Sequence, residues 1–141
     1  MFTFRDGTVR ATANCHVREM PGRIAGLSKA LDAADAVSAI LKRPCFQKDP
    51  KLRDQLADSS DAVPSLISDG FPQSTDRFFA QFLYRSRGES SETRTHLRVA
   101  RGRAYITEPE LVALCERYNE IEKMLTGFIR HLELEDRRHR G

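Results

Sequence analysis

The chain has 141 residues, one domain's worth of sequence. Charged residues are 30% and apolar ones 40%, a balance that argues against both a disordered chain and an integral membrane protein. The net charge of +3 is mildly basic, well short of a dedicated nucleic-acid arm.

Residues 1–20 show no sustained periodicity and are expected to form a poorly ordered N-terminal tail. They contain no apolar core segment of a secretory signal. The three cysteines, Cys15, Cys45 and Cys115, are odd in number and form no C-x-x-C motif. That points away from a disulfide framework or zinc knuckle and towards a reduced cytoplasm.

From Pro21 the positions Ile24, Leu27, Leu31, Ala34, Ser38 and Leu41 step by three and four, one face of a first helix. Pro44 ends it. Pro50 opens a second helix, whose face runs through Leu52, Leu56, Ser59, Val63, Leu66 and Ile67 to a stop at Gly70. Pro64 lies inside it and is expected to bend it. Ser74 or Thr75 caps a third helix with Phe78, Phe79, Phe82, Leu83, Ser86, Leu97, Ala100 and Ala104 on its buried side. The middle of that helix, Ser86 to Ser91, has poor helix propensity. Read alone it resembles a loop, but small residues there also permit close approach of a neighbour.

Thr107 and Glu110 have the spacing of a capping box. The fourth helix then places Leu111, Leu114, Tyr118, Ile121, Leu125, Phe128 and Leu132 on one seam. These elements predict an all-α fold: an antiparallel up-down-up-down four-helix bundle over residues 21–136, followed by a short basic tail, 137–141.

The segment from Leu52 to Leu132 resembles the small bacterial four-helix-bundle proteins named for reading frames within intervening sequences of 23S ribosomal RNA genes. Val63-Pro64-Ser65-Leu66-Ile67-Ser68-Asp69-Gly70 is similar to that family's I-P-S-N-I-A-E-G. Phe79, Phe82-Leu83, Gly88, Glu92, Leu97, Ala100 and Tyr105 follow its second run, and Lys123-Met124-Leu125-Thr126-Gly127-Phe128-Ile129 its K-M-L-x-G-L-I ending. The resemblance implies a ring, a homopentamer, with no established catalytic activity. It extends to the accessory proteins of diversity-generating retroelements, basic pentameric bundles that bind nucleic acid and a reverse transcriptase. Departures are Leu66 for the family's Asn, Pro72-Gln73 for its Gly-Arg, Phe78 for its Glu, Arg85 at an apolar position and Ala104 for its Gly.

Seven arginines from Arg77 to Arg103 face only Asp76, Glu89 and Glu92. Arg94, Arg98 and Arg101 form a stripe, with Arg87 and Arg103 beside it, and such a stripe can neutralise phosphates of RNA or DNA. Ion pairing with the acidic start of the fourth helix, Glu108 and Glu110 onward, explains the same residues without a ligand. The cluster Arg137-Arg138-His139-Arg140 suits a helix C-terminus, and no aromatics interleave with it as a stacking platform requires. No Glu-x-x-His occurs, so no bundle metal site and no cofactor is expected. Cys115 borders the seam without a histidine to activate it.

Val112, Cys115, Met124 and Ile129 widen the apolar stripe of the fourth helix and are the expected oligomer interface. The leading expectation is a non-enzymatic homo-oligomer that binds nucleic acid through the arginine stripe, with or without a protein partner. The alternative is a protein-interaction scaffold with no nucleic-acid role.

Overall fold

The computed structural model describes residues 21–141, and side chains from Ala25 onward. The expectations for residues 1–20, Cys15 included, and for the Ile24 side chain lie outside the described residues.

Five helices and no strand make up the described chain: α1 (Pro21–Leu41), α2 (Pro44–Gln47), α3 (Pro50–Gly70), α4 (Asp76–Gly102) and α5 (Glu108–Arg140). Each boundary has a local cause. Pro44 and Pro50 sit at the first positions of α2 and α3, where a missing N–H costs nothing. The Asp49 carboxylate accepts from Leu52 N–H at 3.3 Å and caps α3. Thr75, of the two candidates, caps α4 by accepting from Phe78 N–H at 3.2 Å. At α5 both halves of the capping box form: Glu110 N–H donates to Thr107 Oγ1 at 3.3 Å, and Thr107 N–H donates to Glu110 Oε1 at 2.9 Å.

α4 is unbroken through Ser86–Ser91. Ser86 and Ser90 face inward, and their hydroxyls find partners: Ser86 donates to the Val63 carbonyl at 2.9 Å and Ser90 to the Tyr118 carbonyl at 3.4 Å. Thr93 Oγ1 lies 2.9 Å from Ser59 Oγ and from the Glu89 carbonyl. Tertiary packing therefore overrides weak propensity here. α5 has 33 residues and continues through the basic cluster to Arg140, so 137–140 is the last helical turn.

α3 packs against α4, α4 against α5, and α1 closes the cycle against both α3 and α5. Ser59 meets Thr93 and Val63 meets Ser86, so α3 and α4 run in opposite directions. Tyr84 with Glu133 and Arg101 with Glu108 show the same for α4 and α5. The core is one continuous cluster in which Phe46, Leu56, Phe79, Leu83, Leu97, Tyr118, Ile121 and Leu132 are fully buried. Each such Leu or Phe contributes about 1.5–3 kcal/mol relative to exposure.

The seams of α3 and α5 match expectation. That of α1 matches in part: Ala34 and Leu41 are buried and Leu27 packs against the core, with Ala30, Ala33, Val37 and Ile40 beside them, but Leu31 is 49% exposed and Ser38 is exposed. Alanines lie on several sides of α1, so its periodicity names no unique face. The small alanines then win the close contacts. Phe78 is likewise exposed, and Ala104 lies beyond α4 in a turn. Gly70 ends α3, but for want of room: a Cβ there would come 2.8 Å from the Phe79 ring.

Candidate functional site

The α4–α5 groove holds most of the residues singled out for function. Along α4 the residues Arg87, Arg94, Arg98 and Arg101 share one side, spaced as helical neighbours. Arg94 Nη2 donates to Glu122 Oε1 at 2.8 Å in a half-buried ion pair, and Arg94 Nε lies 2.8 Å from Glu122 Oε2 without the alignment of a hydrogen bond. Arg101 pairs with Glu108 at 3.1 Å. Arg87 donates to Thr126 Oγ1 at 3.1 Å and lies over the Tyr84 ring, 5.0 Å from its centroid. Arg98 is exposed and has no ion pair among the described residues. Arg103 leaves the groove altogether and pairs with Asp49 at 2.5 Å.

The five arginines are therefore not one free comb. Much of their charge is met within the protomer, as the ion-pairing reading anticipated. The groove instead recruits cations from α5 that the sequence pattern did not single out. Lys123 and Arg130, with Arg87, line a groove of about 540 Å³. Arg77, Arg137 and Arg140 line a second of about 400 Å³ towards the start of α4. Seam logic hides these residues because Lys123 and Arg130 flank the seam instead of repeating with it.

The outward stripe on α5 is narrower than expected. Val112 is 47% exposed, while Cys115 and Met124 are half-buried. Ile129 is in the protomer core, 3% exposed, and cannot serve an outer face. Burial pushes the Cys115 thiol up, away from reactivity.

At one end, a polar clasp ties three connections together. Arg43 forks onto Glu110 and also donates to the Tyr105 carbonyl at 3.1 Å. Arg43, chiefly by its hydrogen bond, holds the Glu110 carboxyl down at about 2. Asp49 accepts from the Tyr105 hydroxyl at 2.9 Å and from Arg103. The Tyr105 hydrogen bond is the main cause that lowers the Asp49 carboxyl and raises the Tyr105 phenol. Tyr105 also packs edge-on against Phe46, ring centroids 5.2 Å apart. No group of three or more His, Cys, Asp and Glu side chains with metal-binding placement occurs among the described residues. Glu92 and His96 meet as a lone pair at 3.3 Å. No helix among the described residues is long and apolar enough to cross a membrane.

The family described as 23S rRNA-intervening sequence protein matches residues 24–127. The chain belongs to that family. A solved structure from Bacteroides thetaiotaomicron, described as a protein with unknown function from the S23 ribosomal protein family, is similar in fold. Its TM-score is 0.71 at 21% identity, covering 77% of this chain and 98% of that chain. No curated protein matches the chain.

Where this member departs from the 23S rRNA-intervening sequence pattern, the structure gives each residue a place. Leu66 is buried. Gln73 donates to the Asp69 carbonyl at 3.0 Å, and Arg85 sits over Phe82, 5.7 Å from the ring centroid. Ala104, at φ 61°, occupies the left-handed position that ends α4. There the Tyr105 N–H donates to Ala100 O and the Ala104 N–H to Arg101 O, both at 3.0 Å.

Proposed function

We propose that the protein is a non-enzymatic module whose work is assembly. In this reading the four long helices are an antiparallel up-down-up-down bundle that closes with its copies into a homo-oligomeric ring, a pentamer by its family likeness. The observation that carries it is the set of large apolar side chains left outside. Leu31 on α1, Phe78 and Val99 on α4, and Val112 and Leu134 on α5 are each 38–50% exposed. Packing against copies would take these side chains out of water. The buried polar groups of the core also support a non-catalytic role. They are mainly serine and threonine hydroxyls, hydrogen-bonded chiefly to backbone carbonyls. Free Cys45 and Cys115 accord with the reducing cytoplasm.

The test is substitution from outside. Val112→Asp with Leu134→Asp should lower the particle mass while leaving the helical content intact. An unchanged mass removes α5 from the interface.

A second reading, binding of RNA or DNA, is favoured by one specific observation: Lys123 and Arg130 in the α4–α5 groove, and exposed Arg98 on α4, have no carboxylate partner among the described residues. Phosphate contacts of this kind weaken steeply with salt. A gel shift against mixed RNA and DNA at about 50 and about 200 mM salt checks it. Changing Arg98, Lys123 and Arg130 together to Ser should abolish the shift. Retention with an unaltered salt slope rules these cations out as the contact, and no shift at either salt leaves a scaffold for a protein partner.

A further inference from the structure

The charges of this surface are sorted by face. α1 from Ala30 to Leu41 and α3 from Asp54 to Gly70 carry Asp32, Asp35, Asp54, Asp58, Asp61 and Asp69, and no lysine, arginine or histidine. Of these six, Asp54 alone has an ion pair among the described residues, with Arg53 at 3.1 Å. Asp32, Asp35, Asp58 and Asp61 are exposed. Between α1 and α3 runs a groove of about 380 Å³, with apolar Leu27, Leu31, Ala34 and Pro64 in its wall and Asp35 and Asp61 beside them.

Across the core lies the α4–α5 face, because α1 borders α5 and α3 borders α4. There most carboxylates are satisfied internally: Glu122 by Arg94, Glu108 by Arg101, Asp136 by Arg140, and Glu133 by the Tyr84 hydroxyl; Glu116, exposed on α5, has no ion pair among the described residues. Arg77, Arg87, Arg98, Lys123, Arg130 and Arg137 remain without a carboxylate partner among the described residues. One side of the protomer thus carries an excess of unpaired acid, the opposite side an excess of unpaired base.

We propose that the acidic α1–α3 face of one copy seats the basic α4–α5 face of the next. Both halves of the joint exist on one molecule, opposite in sign and both grooved between two helices. Leu31 fills the dry centre, and the aspartates meet the arginines and Lys123 around it. Such a joint is heterologous, head to tail, and repeats until the rotation closes a ring. The inference rests on the homo-oligomeric reading and adds which surfaces meet. It gives to a sibling's carboxylates the cations that the nucleic-acid reading gives to phosphates.

Two blocked chains test it. One carries Asp35→Arg with Asp58→Arg; the other carries Arg98→Glu with Lys123→Glu. None of these four side chains has a hydrogen bond or ion pair among the described residues, so circular dichroism should match the wild type. Each blocked chain alone should run as a monomer in light scattering, while the equimolar mixture, in which the native faces and the reversed faces each meet with opposite sign, assembles again into particles larger than a monomer. Should a reversal unfold the chain, the neutral pairs Asp35→Asn with Asp58→Asn and Arg98→Gln with Lys123→Gln replace it, with at least tenfold weaker assembly expected. A mixture that stays monomeric overturns the joint. Blocked chains that keep the wild-type mass overturn it and leave the homo-oligomer standing; a monomeric wild type overturns both. If Arg98→Glu with Lys123→Glu loses RNA retention but keeps the wild-type mass, those cations serve nucleic acid and the joint fails.

Discussion

Arg43 and Glu110 lie 67 positions apart and meet in a two-point guanidinium–carboxylate fork that fastens the turn after α1 to the first turn of α5. Glu110 is also half of the capping box, so one carboxylate secures a helix start and a tertiary contact. Its pKa is lowered from 4.5 to about 2, first by the Arg43 hydrogen bond and then by the Thr107 amide. A carboxylate so depressed contributes stability that is whole above 4.5 and lost as pH falls through about 2. Glu110→Gln keeps a capping side chain but removes the charge. For a partly exposed pair we expect a loss of about 1 kcal/mol at neutral pH. Melting followed at pH 7 and pH 2 should show wild type ahead at the first and level with the variant at the second. An equal gap at both values contradicts the assignment.

Ala104 holds a left-handed conformation at φ 61°, which an L side chain with a Cβ disfavours by about 1–2 kcal/mol. Ala104→Gly should therefore raise stability, by about 0.5–1 kcal/mol after the greater freedom of glycine in the unfolded chain is counted. The urea midpoint should rise with its slope unchanged; a fall would show that the methyl group packs usefully.

Tyr118 is fully buried, and its hydroxyl makes no hydrogen bond with any described residue. Desolvation by burial is the main cause that pushes its phenol far up. Tyr118→Phe removes an unpaired buried group and should stabilise the fold by about 1 kcal/mol. The Ser90 hydrogen bond survives, because it uses the Tyr118 carbonyl. Denaturant unfolding checks this, and a destabilised variant would contradict it.

How much of this was legible depended on how contrasted each helix is. On α5 large apolar residues alternate cleanly with charge, so Leu114, Tyr118, Ile121, Leu125 and Leu132 could be read off the spacing and are buried. On α3 the same logic placed Ser59 inside with the leucines, where it is buried; Ser60, off that spacing, is buried as well. On α1 alanines lie on several sides, so the pattern names no unique face, and Leu31 lies outside. The arginine stripe was visible in the sequence. What the spacing does not carry is which arginine meets which carboxylate, since the Arg94–Glu122 and Arg43–Glu110 pairs join residues 28 and 67 positions apart. Ile129 shows the same limit from the apolar side: α5 turns it into the core, where the stripe pattern had placed it outward. α2 escaped notice because four residues between two prolines carry no period at all.

The central claim is that this domain works as a set of copies. Light scattering of the purified chain at micromolar concentration measures that without further assumption. The account predicts a single particle whose mass is a whole multiple of 16.0 kDa, at least twice that value and falling as salt rises. A 16.0 kDa species across the accessible concentration range would contradict it.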